Sequence, residues 1–348
     1  MNRIMTAAGC AALGLLIAQP AMAACSLKTQ PIPVVLDGGL RPIVQAKVNG
    51  KPARFLVDSE SAVNMISSKY ATAQKLAQTR SGSGPAIVTA PQFEFAGATL
   101  KNVQFAASDS LDVDGVIGQT ILSQADVEYD LGSGAAPETD PSGGGSSSGR
   151  GGRGGSGSPP PGFGAPPAGT VKLVQATGCE GVNMAYWAKD GDAYAEMPLT
   201  VSDTDPRTRT EVVVNGVKLR AMLASGLPYT MITKKAAEKA GVKTTDPGVK
   251  AFQKAAAWVA PFASLKFGDE EIRNQPLEIG ETTDESYDVL IGDDFLKAHH
   301  LYVAKSQHKI YLTYTGKPGV PIFVAHEPKP VAFGMTGHTG AGIQVSGF

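Results

Sequence analysis

The chain has 348 residues, with 31 Lys and Arg set against 32 Asp and Glu. That balance, with no block of one sign, gives no electrostatic footprint for nucleic acid or an anionic membrane. At 42% hydrophobic and 18% charged residues there is apolar material for a sizeable core, in two ordinary domains or one large one.

Residues 1–23 have the layout of a secretory signal. Arg3 is a short positive region, AALGLLIA is an apolar run too short to span a bilayer, and Ala21-Met22-Ala23 offers a small-x-small cleavage site. The alternative is a buried N-terminal helix. Export would place the mature chain, starting near Ala24, in the periplasm or outside the cell. Cys25 follows directly and has two readings. It is a lipid-anchor cysteine, although Met22 stands where a branched apolar residue belongs, or it pairs with Cys179. Cys10 leaves with the signal, so cysteine parity in an oxidising compartment favours the disulfide. No later apolar stretch is long enough for a transmembrane helix, and the mature chain reads as soluble.

Residues 24–132 read as a β-rich lobe. ARFLV after Asn49-Gly50 predicts a hairpin, and VQFAA and VEYDL are β-branched and aromatic strands. Short helices are predicted over Ser67–Leu76, capped by Ser, and over Gln119–Ser123. Residues 133–169 are dominated by Gly, Ser and Pro and have almost nothing to bury, which predicts a disordered linker. Arg150 and Arg153 among its glycines resemble an RGG segment, but for an exported chain a plain linker is the better reading. Residues 170–325 read as a second lobe. KLRAMLA follows Asn215-Gly216, helices are predicted at Lys234–Ala240 and Asp293–Ala298, and LYVAK and KIYLTY are strands. Residues 326–348 are a C-terminal tail.

The two lobes repeat each other. VNGKPARFLVDSESAVNMIS from Val48 aligns without a gap on VNGVKLRAMLASGLPYTMIT from Val214, an offset of 166 (214 − 48). FAGATLKN at Phe95 matches FGDEEIRN at Phe267, and VIGQTIL at Val116 matches LIGDDFL at Leu290, an offset of 174 (290 − 116). Three blocks in one order point to duplication of a single lobe.

An apolar strand ending in Asp-Ser/Thr-Gly, with an apolar-apolar-Gly strand some sixty residues later, is the catalytic turn and its brace in aspartic proteases. FLVDSESAVNMIS resembles that turn, and Val116-Ile117-Gly118 and Leu290-Ile291-Gly292 resemble the brace. With their flanks, these segments resemble retropepsin-like aspartyl proteases of bacterial exported proteins. The resemblance implies an all-β fold with a few short helices, as two retropepsin/pepsin-like lobes related by a pseudo-twofold axis. It implies no cofactor or metal, and as partner a peptide or protein in extended conformation. In the family each lobe donates one Asp. The pair, about 3 Å apart, shares one proton, so that one carboxylate activates water while the other polarises the peptide carbonyl. The hydroxyl residue after each Asp bonds across to the opposite lobe, and the loops before Ala90 (Gly82–Ala90) and around Phe252–Ala260 cover the cleft as flaps.

Two departures stand out. The first turn is Asp58-Ser59-Glu60, with Glu where Gly belongs, and the second is Ala224-Ser225-Gly226, with Ala where Asp belongs. Ser59 and Ser225 remain for the cross-lobe lock, and Ile117, Gly118, Ile291 and Gly292 for the braces. The acid pair is reduced to Asp58, joined by Glu60 if strand alternation lets residues 58 and 60 converge. The bland reading of Glu60 is a solvent-directed side chain that distorts the turn. The sequence therefore favours a catalytically impaired relative that binds an extended peptide or a protein partner. The alternative is an active endopeptidase using Asp58 with Glu60, or with Asp58 of a second chain. His299-His300 diverge on one element and His308, His326 and His338 are scattered, so no metal site is expected. Tyr186, Trp187 and Trp258 line the cleft or pack in the core.

Overall fold

A computed structural model describes residues 24–80, 82–132, 167–189, 192–202, 204–252, 257–317 and 319–324. The signal at 1–23, all but the end of the predicted linker, and the tail at 326–348 lie outside the described residues.

The first half supplies β1 (Ser26–Asp37), β2 (Arg41–Val48), β3 (Lys51–Val57), β4 (Met65–Ser67), α1 (Ser68–Ala73), β5 (Ala77–Thr79), β6 (Ile87–Phe95), β7 (Ala98–Ser108), β8 (Gly115–Ile117), α2 (Gln119–Leu122) and β9 (Asp126–Asp130). The second supplies β10 (Gly169–Thr177), β11 (Ala195–Pro198), β12 (Arg209–Val214), β13 (Val217–Leu223), β14 (Met231–Thr233), α3 (Lys234–Lys239), β15 (Lys250–Phe252), β16 (Ala257–Phe267), β17 (Glu270–Gly280), β18 (Val289–Ile291), α4 (Asp293–Ala298), β19 (His299–Ala304) and β20 (Lys309–Tyr314).

Two closed barrels result. β2-β3-β8-β4-β7-β6 closes by pairing β6 with β2 at Val48↔Phe93, and β12-β13-β18-β14-β17-β16 closes at Val214↔Leu265. Closure leaves no open edge in either barrel wall. The hairpin into each barrel turns on Asn-Gly. Asn49 and Gly50 have φ of 51° and 77°, and Asn215 and Gly216 have 48° and 81°, the left-handed conformations a two-residue turn demands. Ser67 and Thr233 cap α1 and α3 by accepting from Tyr70 N and Ala236 N. α1 ends before the predicted Leu76 because Lys75 takes φ of 53°. Phe55, Phe93 and Phe105 fill the first barrel with ring centroids 5.2–5.8 Å apart, and Phe267 packs on Phe295 at 4.2 Å beside the second.

A third layer joins the barrels. β1, β9 and β10 continue into β19, β20 and β11 as one antiparallel sheet to which both halves contribute. Neither strand flanking the Gly/Ser/Pro-rich stretch belongs to a barrel. Cys25 and Cys179 form a disulfide at the end of the β1–β10 pair, where Ser26 faces Thr177. Its formation leaves Cys25 no thiol for a lipid. Among the described residues no helix is long and apolar enough to cross a membrane.

The disulfide closes a sequence separation of 154 residues, so Cys25→Ala with Cys179→Ala should cost about 2–4 kcal/mol of unfolding free energy. Urea denaturation of the variant against the oxidised protein measures it, and an unchanged midpoint would contradict the staple.

Candidate active site

In each barrel the chain leaves one strand, crosses the end of its parallel neighbour and returns antiparallel to that neighbour. β3 runs parallel to β8 and β4 antiparallel to it, and β13, β18 and β14 repeat the arrangement. The turns 58–64 and 224–230 are thereby forced over Gly118 and Gly292. A Cβ on Gly118 would strike Val63 O, and one on Gly292 the backbone of Tyr229. Gly118 N donates to Asn64 Oδ1 at 2.9 Å and Gly292 N to Thr230 Oγ1 at 3.0 Å. Asp58 N donates to Ile117 O and Ala224 N to Ile291 O. The residues read as braces hold their turns through these bonds.

The turns are locked to each other. Ser59 Oγ donates to Leu223 O at 2.6 Å, and Ser225 Oγ donates to Val57 O at 3.0 Å. Each hydroxyl also accepts the other serine's backbone N–H, both at 3.0 Å. All of this is buried, so every partner is desolvated and satisfied. Asp58, half-buried beside the lock, accepts from Glu60 N at 2.9 Å and Ser61 N at 3.3 Å on Oδ1.

The family described as Aspartyl protease matches residues 44–121 and again residues 210–295, one match per lobe. This chain belongs to the aspartic protease family. Among solved structures, the aspartic proteinase from Irpex lacteus superposes with a TM-score of 0.51 over 83% of this chain and 98% of that one, at 11% identity, a likeness of fold alone. No curated protein sequence matches the chain.

For an aspartic protease the cleft is unusual in its acids. Ala224 is fully buried in an apolar cluster with Met222, Met231, Tyr287 and Leu290. Gly226, by contrast, lies against Asp58: a Cβ there would sit 2.7 Å from Asp58 Cγ. Burial pushes the Asp58 carboxyl up, while the N–H groups of Glu60 and Ser61 and the Arg41 guanidinium pull it down, with a net rise. Glu60 is not the solvent-directed side chain the sequence favours. It is half-buried, and burial first, then the Asp58 charge, push its carboxyl up to about 8 against the pull of Arg207.

Two groups escape the sequence reading. Tyr129, from the shared sheet, brings its hydroxyl against both lock serines, and burial pushes its phenol up. Asp293 is fully buried and neither of its oxygens has a hydrogen-bond partner among the described residues. Burial, Asp294 and Asp58 together raise its carboxyl well above the ordinary range. Its mate in the repeat is Gln119 (293 − 119 = 174), which donates from Nε2 to Ser59 O at 2.7 Å. A carboxyl in that place resembles the amide only when it keeps its proton.

The other candidates lie elsewhere. His299 binds Phe295 O and Glu270, while His300 binds Glu128 and stacks on Trp187. Tyr186 also reaches Glu128 and Trp187 donates to Thr313, so both aromatics pack on the shared sheet. Among the described residues no group of three or more His, Cys, Asp or Glu is placed to hold a metal. The predicted flap segments fall on the β5–β6 and β15–β16 hairpins.

Ser59→Ala would strand Leu223 O and Ser225 N in a buried site and should cost about 2–4 kcal/mol. The double variant with Ser225→Ala should cost about the sum of the singles, because each of the four bonds uses only one of the two hydroxyls. Denaturant unfolding of the three variants tests this, and single variants as stable as the wild type would count against the lock. Glu60 also sets a pH dependence. Its folded-state pKa is raised from 4.5 to about 8, so the native state binds a proton that the unfolded chain releases. The associated stability is complete below about pH 4.5 and is lost as pH rises through about 8. Glu60→Gln should flatten that loss in urea midpoints measured across the interval.

Proposed function

We propose that this chain is an exported, catalytically impaired aspartic-protease relative whose interlobe cleft holds a peptide or protein segment in extended conformation. The observation that carries the reading is Ala224, buried among apolar side chains at the turn that faces Asp58. Water activation by this family needs one ionised and one protonated carboxyl, and the second lobe supplies neither. The lock and the braces, which shape a cleft whether or not it cuts, are complete. Export to the periplasm or the medium is supported by the layout of residues 1–23 and by the Cys25–Cys179 bond, since disulfides persist in oxidising compartments.

One observation favours a second reading, hydrolysis with Asp58 and Glu60 as the pair. Glu60 is raised to about 8 beside Asp58, so near neutrality one of the two carboxyls would carry a proton. Catalysis by two chains pairing their Asp58 residues has less support, because Ser59 is already committed to Ser225.

A peptide-library digest between about pH 3 and 7, the range in which a carboxyl pair shares its proton, tests the proposal with Asp58→Ala as control. The expected result is no pepstatin-sensitive cleavage by either protein. Wild-type cleavage that disappears in Asp58→Ala would overturn impairment in favour of the Glu60 reading. Glu60→Gly combined with Ala224→Asp should restore pepstatin-sensitive cleavage at acid pH, while either change alone should not.

A further inference from the structure

The twofold relating the lobes decides where the Glu60 side chain goes. A Cβ on Gly226 would lie 2.7 Å from Cγ and 2.9 Å from Oδ2 of Asp58. Residues 226 and 60 are twofold mates, as are 224 and 58, since 226 − 60 and 224 − 58 are both 166. By the twofold, the Cβ of Glu60 maps onto the place that a carboxylate at 224 would occupy. By that symmetry the Cγ of an aspartate at 224 would approach the Cβ of Glu60 to about 2.7 Å, whereas the alanine Cβ would lie at about 3.0 Å, a tight contact that a small shift relieves.

The surroundings of Glu60 agree. Its carboxyl feels Asp58 from its own turn, and Arg207 and Asp284 from the second lobe. Its charge is in turn felt by Tyr287, which packs in the same apolar cluster as Ala224. Glu60 is thus within electrostatic reach of second-lobe groups, one of which packs with Ala224.

We infer that positions 60 and 224 form one coupled exchange, in which the second carboxyl of the cleft has moved from the second lobe to Glu60, where it joins Asp58 in contacting the bound segment. The ligand part rests on the peptide-binding reading above. A protonated Glu60 donates to an acceptor oxygen of the segment, and an ionised Asp58 accepts a donor from it. Arg41 and Asp293 face Asp58, and Arg207, Asp284 and Tyr287 face Glu60. Once both carboxyls ionise, the donor is lost and two charges face the ligand.

Thermal unfolding of the wild type, Glu60→Gly, Ala224→Asp and the double variant tests the exchange without any ligand. Ala224→Asp should lower Tm by at least about 4 °C in the wild-type background and by no more than about 1 °C alongside Glu60→Gly. Equal shifts in the two backgrounds would overturn the exchange. If Ala224→Asp does not fold, Ala224→Ser runs the same cycle with a smaller coupling of the same sign. The ligand part is read with pepstatin, an extended peptide with a central hydroxyl. Wild-type affinity should fall at least about tenfold between pH 6 and 9 while Glu60→Gln holds its affinity. Wild-type affinity flat over that interval would overturn the role of Glu60 in the contact. Pepstatin binding to no variant, with the Tm coupling present, would sink the peptide-binding reading and leave the exchange standing.

Discussion

Four buried hydrogen bonds made by Ser59 and Ser225, two between the serines and one from each hydroxyl to Leu223 O or Val57 O, hold the two halves of this protein in register. Each serine gives its hydroxyl proton to a carbonyl of the opposite lobe and takes the opposite serine's N–H. The lobes can therefore meet in only one relative position without stranding buried polar groups. That position sets Gly226 against the Asp58 carboxyl. The shared six-stranded sheet and the Tyr129 hydroxyl support the lock from behind.

The twofold extends to the charges around the cleft. Arg41 and Arg207 are mates (207 − 41 = 166). Arg41 is held by Asp112 at 2.7 Å, and Arg207 by Asp205 at 2.7 Å and Asp284 at 3.3 Å. Arg41 draws down the carboxyl of Asp58 and Arg207 that of Glu60. Each acid of this cleft thus has one guanidinium of a matched pair, although both acids come from the same turn. A duplicated scaffold has kept its symmetry in the lock, the braces and the flanking cations while its acids became asymmetric. Asp293 adds a third buried carboxyl on one side only, where the first lobe has the neutral Gln119.

Much of this is visible in the residues. The gap-free offset of 166 places Asp58 opposite Ala224 and Ser59 opposite Ser225, because equal spacing in two copies of one lobe means equal position in each. Asn49-Gly50 and Asn215-Gly216 announce their hairpins through backbone conformations few other residues adopt. The shared sheet is not visible, since VEYDL, LYVAK and KIYLTY say strand without saying which strand they join, and β9 meets β19 across 172 residues in the His300–Glu128 contact. The burial of Glu60 is not visible either, since residues 58–64 form a turn in which strand alternation gives a side chain no direction. Asp293 did carry a signal, an acid aligned with the Gln of VIGQTIL, and its meaning depended on knowing that the Gln is a buried donor.

The proposed role of Glu60 as the second carboxyl of the cleft, its proton retained by burial beside Asp58, is open to direct measurement. The direct measurement is a carbon-13 carboxyl NMR titration of the wild type and of Asp58→Asn. The account predicts a Glu60 carboxyl that titrates at about 8 and moves down when Asp58 becomes Asn. A Glu60 that titrates near 4.5 and ignores the substitution would contradict it.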